Sequence, residues 1–563
     1  MRVNKRVLIW GALFVVMFIG TLWYRPLLLE DETRYAEVAR EMITSGDWVS
    51  PQMDGADYFE KPILGHWLNA IAMSLFGENN FAVRFFQGFL TLLTGLGLYL
   101  FTRRHGEQLA RLSTVIFFTT ALVFAVGTYA VLDAQFSFFT FLTFAGFYMF
   151  AEENCKKRML LWLLVTGVAL GLAFLAKGFI AIAITTATCG IYAIWRKKWL
   201  KLFTSPWIIL LIAAAVALPW CIAVHRESPD FWRYFFIEEH VDRVLGKSSA
   251  KHPEPFWYFI VALPLVAMPW TLLWPAAFTG FHKEWKNAFS TPLMRFSLLA
   301  FAVPFVIVSA SSGKLATYIL PCMPFLAIML ARGLERCAER GKIAMVDVTM
   351  KILARVMMTA IIMFILFQLM CFVRVIDEKY AIWLPGEQLS YFGIMVTIII
   401  FAGAAKKVPS LNGILPKTAC FAAGICAVML AVHFTMPSRF TYQIAPEVFM
   451  AKHLDKISDD TVVIVYKKYI ASIAWLLERD DIICYDAESP RGNNAGELTY
   501  GLTRPGQEGK MMTLAQIEEV IADPTKHVVF ITSKLYHVDR MPPTENFSID
   551  RENEVVFLEY NRP

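Results

Sequence analysis

Long apolar runs recur along most of this chain, separated by shorter polar segments, and give way near residue 437 to a different pattern. A membrane-spanning helix needs about 20 mostly apolar residues. The runs predict thirteen spans, near 7–24, 81–101, 112–127, 134–151, 159–176, 178–195, 207–224, 256–278, 296–310, 315–331, 355–375, 390–405 and 417–436. The first follows a basic start and has no small-residue cleavage site. It closes on Trp23, Tyr24 and Arg25, so it reads as an uncleaved span rather than a signal peptide.

Lysine and arginine in the loops set the orientation. With the N-terminus cytoplasmic, the basic segments RVNKR, TRRHGEQLAR, EENCKKR, WRKKWLK, FHKEWKNAF, RGLERCAERGK and AAKK all fall on the inner side. The opposite side holds the loop 25–80, the tips at Asp133, Lys177 and Lys314, and the loop 225–255. Loop 25–80 carries ten acidic residues and four basic ones. An odd number of spans places the tail outside. In that tail, 461–466, 481–486, 527–532 and 554–560 read as short buried strands, with amphipathic helices between them. The expected architecture is an all-α polytopic membrane domain (1–436) followed by a soluble α/β domain (437–563), read as a lid, docking element or stabiliser.

Composition agrees. Of 563 residues, 57% are hydrophobic and 18% charged, against about 45–50% and about 25% in soluble domains. A net charge of +6, scattered in short runs, excludes nucleic acid as the main partner. Nine cysteines without a CxxC pair give neither a disulfide framework nor a thiolate zinc site.

The candidate chemistry lies in the outer loops. EDETRYAEVAREMITSGDW predicts a helix ended by Gly46, with one apolar face and one charged face of Arg34, Glu37, Arg40 and Glu41. It would lie on the membrane or pack on the spans. Asp31 stands at its start, as an N-cap or as a functional carboxylate; Glu30 and Arg34 are spaced as an i,i+4 pair. In YFEKPILGHWLNA, Glu60 and Lys61 precede a second helix beginning at Pro62, as a solvated pair or as site residues; His66 and Trp67 read as packing. Asp133 is the sole charge between Arg111 and Glu152, and an ionisable group at a membrane edge is costly unless paired or used. FWRYFF reads as interface anchoring, and His240 sits in a charged cluster with Glu238, Glu239, Asp242 and Arg243, solvated or metal-binding. Tyr318, one turn beyond Lys314, reads as interfacial packing. Asp31, Glu60, Lys61, Asp133, His240, Arg243 and Lys314 all fall on one side of the deduced topology. They point to a polar cavity where cations suit a phosphate and carboxylates suit a sugar, an amine or a divalent metal.

The motifs EDETRYAEVAREM, GDWVSPQMDGADYFEKPILGHWLNA, AVLDAQFSFF, FLAKGFIA, EEHVDRVLG and SGKLATYILPCMPFLA, in this order along the whole chain, resemble those of the bacterial lipid A aminoarabinose transferases. These are GT-C membrane glycosyltransferases related to the protein O-mannosyltransferases. The resemblance implies a GT-C fold. It also implies transfer of 4-amino-4-deoxy-L-arabinose from undecaprenyl phosphate to lipid A phosphates at the periplasmic face of the bacterial inner membrane, with resistance to polymyxin-type peptides. By the same resemblance Asp31 and Asp133 are catalytic, and Lys61, Arg243 and Tyr318 bind the donor phosphate. Glu60 and His240 would hold a divalent metal, zinc, although two protein ligands are fewer than the usual four. No protein partner is implied.

A phosphate acceptor is already ionised at neutral pH and needs little help from a general base. The two aspartates are therefore expected to bind the sugar ammonium, stabilise positive charge at the sugar or orient the nucleophile. A related GT-C enzyme acting on protein or glycan is the first rival. A lipid or sugar transporter is the second, disfavoured because the charges gather at one face rather than at mid-membrane.

Overall fold

The computed structural model describes residues 5–242, 253–282, 289–377, 380–384, 386–485, 501–502, 507, 509–533, 547–552 and 555–560, with the side chains of 6, 202, 238–242, 442, 443, 514, 533, 547, 551 and 552 outside this set. The chain opens with α1 (Lys5–Val15), α2 (Asp31–Ser45), β1 (Gln52–Met53), β2 (Ala56–Asp57), α3 (Leu64–Phe76), α4 (Asn80–Arg103), α5 (Glu107–Phe118) and α6 (Ala121–Gly127). The helices α7 (Asp133–Glu152), α8 (Lys156–Lys177), α9 (Phe179–Trp195) and α10 (Trp199–Glu227) follow.

Every predicted span falls on helical structure. Among the described residues nine helices are long and apolar enough to cross a membrane: α4, α7, α8, α10, Pro292–Ala310, Ala316–Glu339, Ala344–Phe372, Gln388–Ser410 and Ile414–Thr435. Two further spans are bent pairs, α5 with α6 at 62° and Tyr258–Val266 with Trp270–Phe281 at 93°, and the remaining two are the shorter Val7–Gly20 and α9.

The bends have identifiable causes. The hydroxyls of Thr119 and Thr120 donate back to the carbonyls of Val115 and Ile116 at 2.5 and 2.7 Å, a pattern that bends helices. The Ala121 N–H, at the start of α6, donates to the Met268 carbonyl in the other broken span, 2.9 Å away. Each break thus helps satisfy the other's backbone, as irregular chain at membrane depth requires. Phenylalanines fill the space between helices; Phe141, Phe144, Phe296 and Phe325 meet within 5.7–6.2 Å in the bundle core.

The tail folds around a six-stranded mixed sheet of order β5-β4-β3-β6-β8-β7. Its strands are β3 (Val462–Tyr466), β4 (Ile483–Tyr485), β5 (Met511–Met512), β6 (Val528–Ser533), β7 (Phe547–Glu552) and β8 (Val555–Tyr560). The strands β3, β4, β5 and β6 run parallel, β8 runs antiparallel to β6, and β7 runs antiparallel to β8. The four predicted strands are β3, β4, β6 and β8. The pattern missed β5, too short to show alternation, and β7, whose FSIDRE is half charged.

The charged face of α2 is not at a membrane surface. Glu37, Arg40 and Glu41 are buried, and α2 packs between α3 and the tail helix Ile470–Leu477. Arg40 holds Glu37 at 2.6 Å and donates to the Glu478 and Arg479 carbonyls. The β1–β2 hairpin turns at Asp54-Gly55, both at positive φ, as a two-residue Asp-Gly turn prefers. Ile482 N–H donates to Asp54 at 3.1 Å, and the Lys510 ammonium donates to the Asp54 carbonyl. The stripe of Glu37, Arg40 and Glu41, expected on a helix lying on the membrane or packed on the spans, is the docking face for the tail domain. Amphipathicity marks a polar face without saying what covers it.

Candidate active site

A cavity of about 420 Å³ opens between loop 58–61, the start of α7, the α8–α9 turn and the segment after Pro292–Ala310. Glu60, Lys61, Lys177 and Tyr318 line it, and Phe136, Phe179, Ile180 and Ile307 supply apolar wall. Lys177 is the last residue of α8; Gly178, at φ 75°, turns the chain directly into α9, a conformation that suits glycine. That tight turn puts the ammonium at the cavity rather than in solvent. Lys177 Nζ lies 2.5 Å from Asp133 Oδ1, 4.3 Å above the Tyr318 ring centre and 5.6 Å from that of Phe136. Tyr318 belongs to a 3₁₀ segment, Ala316–Cys322.

A second chain of charges reaches the cavity from α2. Arg34 pairs with Asp31 and, at 3.2 Å, with Glu60. Glu60 also accepts from the Tyr58 hydroxyl and, at 3.1 Å, from Lys61 Nζ. Burial opposes charge on Arg34, but Tyr58, Glu60, Tyr35 and Asp31 around it raise its pKa above the usual arginine value. Asp31 is not the N-cap of α2. Glu30 occupies that position without a side-chain cap bond, and Asp31 begins the helix. Arg34 turns to Asp31 and Glu60 instead of forming the expected pair with Glu30.

One buried carboxylate joins the two aspartate-bearing segments. Glu32 accepts from Arg25 at 2.6 Å, from Arg84 at 2.6 and 2.7 Å, and from the N–H groups of Leu28 and Ala130 at 3.0 and 2.9 Å. Arg25 also donates to the Thr128 carbonyl at 2.7 Å. The neighbour of Asp31 is therefore bonded directly to the loop that leads into Asp133. Burial pushes the Glu32 carboxyl up, yet Arg84 and Arg25 outweigh it and hold it at about 2.

With this geometry in place, likeness to known proteins is decisive. Residues 7–235 match the dolichyl-phosphate-mannose-protein mannosyltransferase family, and 441–558 match the arabinosyl transferase ArnT C-terminal domain. The undecaprenyl phosphate-alpha-4-amino-4-deoxy-L-arabinose arabinosyl transferase of Photorhabdus laumondii is 32% identical, over 94% of this chain and 93% of its own. The second such transferase of Proteus mirabilis is also 32% identical, over 97% and 96%. The chain belongs to this arabinosyl transferase family. The fold agrees: the crystal structure of ArnT from Cupriavidus metallidurans bound to undecaprenyl phosphate superposes with a TM-score of 0.78 at 20% identity, covering 99% of this chain and 98% of that one.

Against the residues expected for an aminoarabinose transferase, the structure brings Glu60, Lys61 and Tyr318 into one cavity. Asp133 joins through Lys177, and Asp31 through Arg34 and Glu60. The side chain of His240, within the helical turn Arg233–Asp242, and all of Arg243 lie outside the described residues. Lys314 is buried and serves the loops instead, donating to the carbonyls of Glu254 and Ser311 at 2.6 and 2.5 Å and so pinning two of them together. His66 packs between Tyr35 and Tyr58, where burial lowers its pKa to about 3 and keeps it neutral. In FWRYFF, Phe231, Tyr234 and Phe235 are buried rather than anchoring at the interface; Phe231 packs on Phe59, and Phe235 reaches the cavity.

Sequence reasoning left Lys177 as an outward hairpin tip. It is the sole charge between Arg158 and Arg196, the same signal that marked Asp133. Of the two residues expected to hold a metal, Glu60 is bonded by the cations Arg34 and Lys61, and the side chain of His240 lies outside the described residues. Among the described residues no group of three His, Cys, Asp or Glu side chains is placed to hold a metal ion.

Proposed function

We propose that this protein transfers 4-amino-4-deoxy-L-arabinose from undecaprenyl phosphate to phosphate groups of lipid A at the periplasmic face of the bacterial inner membrane. The outcome is a less anionic lipid A and resistance to polymyxin-type cationic peptides. The observation that carries this reading is the cavity itself, with the two ammonium groups of Lys61 and Lys177 beside carboxylates, and apolar walls. The full-length likeness to named aminoarabinose transferases supports it.

In this reading the bond between sugar C1 and the donor phosphate oxygen breaks, and its electron pair leaves with undecaprenyl phosphate. A lipid A phosphate oxygen forms the new bond to C1. Lys61 and Lys177 stabilise the charge growing on the leaving phosphate, which is strongest in a partly dehydrated site. The Tyr318 ring holds Lys177 in place, and Glu60 fixes Lys61. Arg243, expected to assist at the donor phosphate, remains part of this proposal, as does a metal held by Glu60 and His240.

The aspartates share the remaining work. Both are paired, Asp133 with Lys177 and Asp31 with Arg34, but the Asp31 side chain is 32% exposed against 10% for Asp133. Asp31 therefore takes the sugar ammonium and the positive charge of the reacting sugar, and Asp133 sets the position of Lys177. Neither is needed as a base, because the acceptor phosphate is already ionised at neutral pH.

The test is purified full-length protein with undecaprenyl phosphate-linked aminoarabinose and lipid A, read by mass spectrometry. Added pentosamine on lipid A is expected, with at least about a hundredfold loss in Lys61→Ala. Transfer to a peptide acceptor but not to lipid A overturns the acceptor assignment.

A further inference from the structure

A second cavity lies at the end of the bundle away from the first, between α1, α4, α5 and the first turns of Ile414–Thr435. Its volume of about 460 Å³ falls within the range of about 300–1,000 Å³ common to small-ligand sites. Its walls follow the helices: Val7 to Val15 on α1, Leu92 to Tyr99 on α4 and Arg111 to Phe118 on α5. At about 1.5 Å per residue these stretches are roughly 10–12 Å long, most of one leaflet of a hydrocarbon core about 30 Å thick. The slot therefore stands along the helix axes, as a lipid chain does. Val15 and Leu96, each half exposed, give it an opening toward the side of the bundle. Gly11 faces empty space; a Cβ there would meet no atom within 4 Å.

One end is polar and carries a surplus of positive charge. Arg111 and Tyr99 line it, and both bond the Glu107 carboxylate, at 2.8 and 2.9 Å. Arg103 reaches the same carboxylate at 3.4 Å. Lys5, exposed, stands two residues before Val7. Two arginines thus accompany a single carboxylate at the mouth of an otherwise apolar slot. A sugar or nucleotide would find almost no hydrogen-bonding partners inside. A zwitterionic headgroup would leave the surplus charge unanswered.

We propose that this slot binds one acyl chain of an anionic phospholipid, whose phosphate group lies against Arg111 and Arg103. The site is separate from the catalytic cavity and from the carrier it handles. The ligand is a component of the membrane itself.

The test is native mass spectrometry of the full chain titrated separately with phosphatidylglycerol, phosphatidylcholine and undecaprenyl phosphate. One phosphatidylglycerol is expected to bind at least tenfold more tightly than phosphatidylcholine. Gly11→Phe, which fills the slot, should weaken it at least tenfold while leaving sugar transfer unchanged. Arg111→Gln should erase the preference between the two phospholipids, and it decides the matter should Gly11→Phe fail to fold. Equal binding of the two phospholipids to the wild type overturns the proposal. So does undiminished phosphatidylglycerol binding by a folded Gly11→Phe or an undiminished preference in Arg111→Gln. Displacement of the phosphatidylglycerol by undecaprenyl phosphate assigns the slot to the carrier and overturns it too.

Discussion

Lys177 and Asp133 form an ion pair of 2.5 Å across the α7 and α8 ends, capped by the Tyr318 ring 4.3 Å from the same ammonium. Both side chains are mostly buried, 15% and 10% exposed. Breaking one side of a buried pair costs stability, whereas replacing both sides is often close to neutral. Lys177→Met is therefore expected to lose both stability and transfer. Adding Asp133→Asn should restore the melting temperature without restoring activity, which stays about 100–1,000-fold down. If the double variant recovers turnover along with stability, the pair is a structural staple and Lys177 leaves the mechanism.

A carboxylate that binds an ammonium and one that abstracts a proton must both be ionised, so the donor's amine tells them apart rather than pH. Asp31→Asn is expected to lower transfer of the 4-amino sugar far more than transfer of the matching 4-hydroxy sugar from the same carrier, because only the first carries the ammonium. Equal losses with the two donors, accompanied by a solvent isotope effect in the wild type that is missing in Asp31→Asn, would reinstate general-base catalysis.

The spans were legible because apolar periodicity and length decide them locally, and even the bent helices at 119–120 and 267–269 read as continuous runs. Glu60, Lys61 and Tyr318 were legible through motif resemblance, and Asp133 through its isolation in an apolar stretch. Arg34 and Glu32 were not. Their partners lie 26, 52 and 98 residues away, and no local pattern distinguishes an arginine that crosses to Glu60 from one that pairs with Glu30. The burial of Arg40, which bonds Glu37, was hidden for the same reason: its carbonyl partners Glu478 and Arg479 lie in the tail, more than 400 residues later.

Glu32 joins Arg25, Arg84 and Ala130 in one buried network, so its removal should act on the fold before the chemistry. Glu32→Gln leaves two guanidinium groups short of a countercharge and is expected to cost about 3–5 kcal/mol, read as a lowered thermal midpoint. The folded pKa of about 2 lies below the ordinary 4.5. Its contribution is thus complete above about pH 4.5 and disappears as pH falls toward 2. The wild type should lose stability across that window more steeply than Glu32→Gln. Parallel losses in the two proteins would mean that other carboxylates drive acid unfolding.

The interface between α2 and the tail domain has the opposite sign. Burial raises Asp54 from 3.8 to about 8, against the pull of Lys510 and the Ile482 N–H and with Glu41 and Glu37 adding to the rise. Glu37 is likewise raised to about 8, chiefly by burial and despite its bonds to Arg40. Docking therefore takes up protons. A carboxyl raised in this way leaves docking unaffected below about pH 4 and weakens it as pH climbs toward about 8. Hydrogen exchange along Ile470–Leu477 and β4 should accordingly quicken as pH rises from 5 to 8, after correction for intrinsic exchange. Asp54→Asn keeps the acceptor for Ile482 but carries no charge, and is expected to flatten much of that rise. A wild-type exchange profile independent of pH, or an Asp54→Asn profile as steep as the wild type, would show that these carboxyls stay ionised against the tail domain and that water or cations reach them there.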